Sequence, residues 1–405
     1  MVGAVVPFAD RSRAQAPVAR LPLTSPSWRQ KGGTVGASSR WLGQGTVPAE
    51  GTPQGDMVRF ALLDLRELLT DPGDRVLTSI SAGAMQGWRY TWPRDAAFAV
   101  AAFAETGHLS EAWAVLAFLQ SVQRDDGGFE ARYRLHGGTP SGGRPPQSDA
   151  AGWALWAVSR AGRAGRAGRA GRADRDLPDH LNDVRPMVDR ATEFILRVTD
   201  EGSQLPRPSP DYWEVSEADL TLGTAAPMLF GLRAAADIRW SLGDGPGARQ
   251  AQVALDRLSP LVHGAFAPGG YQRYAGAGGH DAGVCFLMPP FVPEPHPGVV
   301  EAWTAYQRQA RRPAGGLAPG VGWRNDGISW TPETALVAYT AAASGRQDLA
   351  AAWLHWLNTH RTGFGSLPER VLANGSPAGP APLGWTAACV VLAAACLDRR
   401  PTVRA

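Results

Sequence analysis

The stretch GWRYTWPRD, residues 87–95, gathers Trp88, Tyr90 and Trp92 around an arginine and sets a proline before the pair Arg94–Asp95. Opening a helix asks for a cap and a proline. It does not ask for indoles, a guanidinium and a carboxylate in one place. Five later stretches are made of similar material: RPPQSDAAGW (144–153), PDYWEVSEAD (210–219), GGHDAGV (278–284), VGWRNDGISWTPE (321–333) and GSLPERVLANGSPAGPAPLGW (365–385). Trp88, Trp92, Trp213, Trp323, Trp330 and Trp385 lie in or beside this set, as do Asp95, Asp149, Glu214, Asp326 and Glu369. Indole faces stack on the apolar face of a pyranose, and Asp, Arg and Gln satisfy its hydroxyls. Two carboxylates among them can serve as general acid and general base on a glycosidic bond. A plainer reading stands beside this one for each residue: Trp at a helix start staples a loop to the core, and acids there complement the helix dipole.

The elements that must position these residues are helices. After residues 1–50, which are rich in Pro, Gly and Ser and read as a loose N-terminal arm, Ala- and Leu-rich segments recur with helical spacing. The spacing predicts twelve helices, near 54–70, 93–106, 109–124, 148–161, 179–199, 218–240, 245–263, 281–288, 297–311, 330–343, 346–358 and 383–397. Runs with strand alternation are scarce, so the fold class is all-α, and twelve helices in sequence imply six antiparallel pairs. In such a chain the odd-to-even loops emerge at one end and the even-to-odd loops at the other. The even-to-odd loops are bland, as in ETGHLS (105–110), GDGPGARQ (243–250) and ASGRQD (343–348). The chemistry lies in the odd-to-even loops, and closing the helices into a barrel would bring it to a single rim.

Composition narrows the partners. The net charge is +3, but RAGRAGRAGRAGRADR (160–175) holds six Arg and one Asp, so the remainder carries −2. With Lys31 as the only lysine, the basic spread of a nucleic-acid protein is missing, and no nucleic-acid partner is expected. The Gly-Arg-Ala tract reads as a flexible insertion at 160–175 that lengthens a solvated loop. No apolar run approaches the roughly 20 residues of a membrane span. The amino-terminal stretch has no positive charge ahead of its short apolar piece, which predicts a cytoplasmic protein. Cys285, Cys389 and Cys396 sit in apolar runs and read as small buried hydrophobes. Neither they nor His280–Asp281 have ligand spacing, so no metal and no cofactor is expected.

Taken together, W-P-R-D before the second helix, Q-S-D before the fourth, W-E before the sixth, W-R-N-D followed by Trp330 at the tenth, and L-P-E followed by P-L-G-W at the twelfth resemble glycoside hydrolase family 15, the glucoamylase-type enzymes. The resemblance is spread over about residues 80–397. It implies an (α/α)6 barrel over 51–400 with no β-sandwich domain, and an inverting, exo-acting hydrolase that removes glucose from a non-reducing end. Carried over residue by residue, Arg94 and Asp95 hold the hydroxyls of the terminal glucose, and Trp92 walls that subsite. Glu214, after Trp213, resembles the general acid, with Trp213 shielding it from water and Glu217 and Asp219 as competitors. Glu369 resembles the general base. Arg324, next to Trp323, resembles an arginine that reaches the scissile region, and Trp330 and Trp385 resemble further pocket lining.

The chain also departs from the family. Val215–Ser216 follow Glu214 where fungal members carry a second Glu, and Arg370 follows Glu369 where Gln is common. Arg370 is expected to lower the pKa of its neighbour. The short chain and WRYTWPRDAAF look most like the single-domain bacterial isomaltose glucohydrolase branch, whose substrates are small α-glucosides. A trehalase or an α-1,4-specific glucoamylase-type enzyme is the nearest rival. A non-hydrolytic sugar-binding α/α-barrel protein is the rival of another class.

Overall fold

The computed structural model describes residues 35–70, 77–141, 143–168 and 174–399. In chain order its α-helices are α1 (Val35–Leu42), α2 (Gly55–Leu68), α3 (Pro93–Glu105), α4 (Leu109–Val122), α5 (Ala150–Ala167), α6 (Leu177–Asp183) and α7 (Arg185–Val198). They continue with α8 (Leu222–Ser241), α9 (Gly245–Phe266), α10 (Val299–Gln309), α11 (Thr331–Ala343), α12 (Gln347–Thr359) and α13 (Gly384–Asp398). Helices α3, α5, α8, α11 and α13, with a 3-10 helix at Ala282–Leu287, pack each against the next and close into a ring. Helices α2, α4, α7, α9, α10 and α12 pack outside it, which makes the fold an (α/α)6 barrel.

The division into two layers follows from side-chain pattern. Every residue of α3 is buried, and α11 and α13 are buried almost throughout, so these helices are apolar on all faces. The outer helices bury one stripe, as α7 does with Met187, Val188, Ala191, Ile195 and Leu196. Inner helices approach closely where side chains are lost. A Cβ on Gly152 of α5 would lie 2.1 Å from the carbonyl oxygen of Pro227 in α8, and one on Gly231 would lie 2.7 Å from the Gly152 Cα. Glycine is required at this crossing.

Three expectations change. The segment expected to be helical near 281–288 is a 3-10 helix. The helix expected over 179–199 is two, broken at Val184, where Pro186 has no N–H to continue the ladder and opens α7 instead. The Gly-Arg-Ala tract does not begin a loop at residue 160. Helix α5 runs on to Ala167, burying Ala161 and Ala164, while Arg160 pairs with Glu105 at 3.1 Å; residues 169–173 lie outside the described residues. In the segment read as an arm, residues 1–34 likewise lie outside. Trp41, at the end of α1, is buried, stacks on His108 at 3.9 Å and donates to Glu111.

Candidate functional site

The ring places the N-termini of its helices at one end, where the six aromatic and acidic loops meet. Two small antiparallel ribbons tie them together. Strand β1 (Tyr90–Thr91) pairs with β2 (Tyr133–Arg134), and β3 (Ser329–Trp330), β4 (Arg370–Val371) and β5 (Pro377–Ala378) form the second. In that second ribbon Trp330 faces Arg370, the residue after Glu369. The Glu369 backbone is fixed on both sides: its N–H donates to the Pro380 carbonyl at 2.9 Å and its carbonyl accepts from the Thr331 N–H at 3.0 Å.

Glu369 is buried, with the Trp88 Nε1–H donating to its Oε1 at 3.1 Å and the Arg370 Nε 3.1 Å from its Oε2. Burial pushes its carboxyl up to about 7, against the opposing pull of Arg370 and the Trp88 hydrogen bond. The expected lowering by Arg370 is therefore present but outweighed. Arg94 and Asp95, in the first turn of α3, form an ion pair at 3.0 Å, and the same Arg94 Nη2 lies 3.7 Å from Glu214 Oε1. Burial also raises the Asp95 carboxyl, with Arg94 drawing it back. The Arg94 guanidinium stacks over Trp385 at 4.8 Å, which makes Trp385 the floor beneath it.

Glu214 sits on a tight turn with φ of +57°, a left-handed conformation unusual for a side chain with a Cβ. Asp211 holds that turn: its carbonyl accepts from the Glu214 N–H at 2.9 Å and its Oδ1 from the Trp213 N–H at 2.9 Å. Fully buried Arg273 in turn binds Asp211 at 2.9 Å, Glu217 at 2.7 Å and Asp281 at 3.0 Å, and lies 3.7 Å over the Trp213 ring. The three acids near this turn differ in their surroundings. Glu217 is committed to Arg273 and to the Tyr274 hydroxyl at 2.8 Å, Asp219 is exposed, and Glu214 alone turns toward Arg94. The indole expected to shield Glu214 is occupied by Arg273. Its carboxylate instead meets Gln147 Nε2 at 2.7 Å, Arg94, and Arg144 Nη1.

The remaining aromatic residues form a continuous side. Trp213 meets Trp323 edge to face at 4.9 Å, Trp323 meets Trp330 at 5.5 Å, and Arg370 lies over Trp330 at 5.7 Å, leading from the neighbour of Glu214 to the neighbour of Glu369. Trp92 is buried as the residue preceding α3 and meets Tyr90 at 6.1 Å. Arg324 is exposed, its guanidinium 5.7 Å from the Trp323 ring, and it has no carboxylate within ion-pair distance among the described residues. The buried indole N–H groups of Trp92, Trp213, Trp323 and Trp330, and Nε and Nη1 of Arg94, meet no hydrogen-bond partner among the described residues. Six buried donors without acceptors is an arrangement that costs free energy.

Four residues of the candidate site have no role assigned from sequence. Trp88 was visible as a rim aromatic, but nothing local marked it as the donor to Glu369. Gln147 lay within the Q-S-D motif. Asp149, in the same motif, is buried and pushed up to about 7 by burial, with Trp153 Nε1 donating to it at 2.9 Å. Glu333, two residues into α11, is buried and pushed up to about 8, first by burial and further by the charge of Glu369. The only signal for Glu333 was a carboxylate three residues after Trp330. Among the described residues no group of three or more His, Cys, Asp or Glu is arranged to hold a metal ion, and no helix is long and apolar enough to cross a membrane.

No family model and no curated protein sequence matches the chain. Solved structures do. A glycosidase in complex with glucose superposes with a TM-score of 0.70 at 19% identity, covering 89% of this chain and 98% of its own. The glucoamylase of Saccharomycopsis fibuligera gives 0.69 at 14% identity over 85% and 94% of the two chains. A bacterial glucoamylase complexed with acarbose gives 0.69 at 16% identity, over 89% of this chain and 57% of that one. The barrel is the fold of these proteins.

Proposed function

We propose that the chain is an inverting, exo-acting α-glucosidase that releases β-glucose from the non-reducing end of isomaltose or short α-gluco-oligosaccharides. The observation that carries this reading is Glu369. It is a buried carboxyl raised to about 7, fixed by two backbone hydrogen bonds, in the same cluster as Arg94, Asp95 and Glu214. A general base works best with a pKa near the working pH. Arg94 and Asp95 offer a donor fork beside an acceptor, the pattern that orients a vicinal diol. Trp92, Trp213, Trp323, Trp330 and Trp385 supply the aromatic walls of the sugar pocket. Arg324, being exposed, belongs to the outer lip.

In the reaction, Glu369 takes a proton from water as the water oxygen bonds to the anomeric carbon. The bond from that carbon to the bridging oxygen breaks, and Glu214 gives its proton to the departing oxygen. Attack opposite the leaving group inverts the anomer, which requires the two carboxyls to stand about 6.5–9.5 Å apart. The glycosidase and glucoamylase neighbours, one holding glucose and one acarbose, support the substrate class.

Proton NMR of the protein with isomaltose, maltose and trehalose in separate tubes tests the reading. β-Glucose appearing first from isomaltose, and lost in Glu214→Gln and Glu369→Gln, is the expected result. First product from maltose or trehalose would move the linkage, α-glucose first would remove the inverting scheme, and binding without turnover would favour a sugar-binding barrel.

A further inference from the structure

We infer that the leaving-group side of this site is built for a negatively charged aglycone, with Arg132 and Arg144 as the residues that take its carboxylate or phosphate. The inference rests on the hydrolase reading and sharpens its substrate class.

Arg132, just before β2, and Arg144, beyond it, line an alcove of about 150 Å³ together with Glu130, Ala131, Thr139, Pro140 and Gly143. Glu130 is the one acid in that lining, and Arg124 already holds it at 3.2 Å. Arg132 lies over Tyr90 at 4.4 Å and over Trp92, the wall assigned to the glucose, at 5.3 Å, and no carboxylate of the described residues is within ion-pair distance of it. Arg144 is exposed and donates to Glu214 Oε2. The two guanidinia are close enough to oppose each other: burial first, and the Arg144 charge next, lower the Arg132 pKa. Two cations beside one another, one without a counter-ion, repel until an anion joins them.

The hydrogen bond to Glu214 gives the alcove a further consequence. Oε2 now accepts from Arg144 Nη1 and Oε1 accepts from Gln147. A proton carried on Oε2 would face a guanidinium N–H, donor against donor. An anion on the aglycone that draws Arg144 into the alcove frees Oε2 to carry the proton that the departing oxygen needs. A charged substrate would thus be both bound and turned over better than a neutral one of the same size.

The test uses substrates that differ in one group. Isomaltobionate and isomaltitol share the α-1,6-glucosyl unit and end in a carboxylate or a hydroxymethyl. Maltobionate and maltitol repeat the comparison for the α-1,4 linkage. The expected kcat/KM ratio of anion to alcohol is about tenfold or more at low salt, the worth of one charge-assisted contact. It should fall toward unity in 0.5 M NaCl and in Arg132→Met, with Arg132→Lys restoring much of it. A ratio near one, or a ratio that Arg132→Met leaves unmoved, overturns the inference while leaving the hydrolase reading intact. Calorimetry of the same pairs on the Glu369→Gln protein reads anion preference without turnover. Tighter binding of the anions there, with no hydrolysis of any pair by the unaltered protein, would retain the alcove and sink the hydrolase reading instead.

Discussion

Arg273 and Arg94 are both buried, both reach the turn that carries Trp213 and Glu214, and they are treated in opposite ways. Arg273 has three carboxylates, from Asp211, Glu217 and Asp281, and its Nε reaches the Tyr274 hydroxyl at 3.4 Å. Arg94 has Asp95 and, more distantly, Glu214, while its Nε and Nη1 meet no partner among the described residues. A buried cation whose donors are all used is a structural joint, and here it sets the turn that holds Glu214 at positive φ. On the proposed function, one whose donors stand idle beside idle indole N–H groups takes its acceptors from the sugar. The same residue type and the same burial thus carry two roles, separated by hydrogen-bond accounting.

The comparison breaks most readily at Arg273. Arg273→Met leaves three buried carboxylates around an apolar side chain and is expected to cost about 3–5 kcal/mol of stability, read as a fall in thermal midpoint by calorimetry. Arg94→Met should instead fold and lose kcat/KM by about 10²–10³-fold on the preferred glucoside, as two charge-assisted contacts are removed. If the two variants lose stability equally, the distinction between joint and site fails.

A smaller effect is expected from Trp88→Phe, which removes the donor that holds the Glu369 carboxylate in its charged form. Glu369 must be ionised to accept a proton from water, so activity should decline as pH falls through about 7, the value to which burial raises it. Losing the Trp88 hydrogen bond should move that acidic limb of kcat/KM to higher pH, with only a modest change at its plateau. An unmoved limb would show that another group sets the profile.

The smallest effect concerns stability and pH. Burial raises Glu333 from 4.5 to about 8 and Glu369 from 4.5 to about 7, so between these limits the folded chain binds more protons than the unfolded one. Stability contributed by the neutral carboxyls is full below the unfolded value and is lost as pH rises through the folded one. The thermal midpoint should therefore decline from about pH 5 to pH 8, and Glu333→Gln should flatten the decline.

Most of the barrel was legible because its signals are local. Eleven of the twelve expected helices stand where apolar spacing put them, one of them divided at Val184, since Ala- and Leu-rich runs bounded by Gly and Pro dictate helix from neighbouring residues alone. The helix through the Gly-Arg-Ala tract was missed because glycine every third residue argues for a loop, whereas tertiary packing of Ala161 and Ala164 overrides that weak propensity. The 3-10 turn at Ala282–Leu287 was read as α-helix because six apolar residues carry no period that separates the two.

The sequence by itself determined which residue types occupy the rim, for loops between helices of alternating direction must emerge at alternating ends. Only the tertiary structure decided who meets whom there. Gln147 and Arg144 reach Glu214 across 67 and 70 residues, and Trp88 reaches Glu369 across 281. These pairings, the idle donors of Arg94 and the raised carboxyls of Glu369 and Glu333 depend on the ring closing, because hydrogen bonds and desolvation act through space and have no period along the chain.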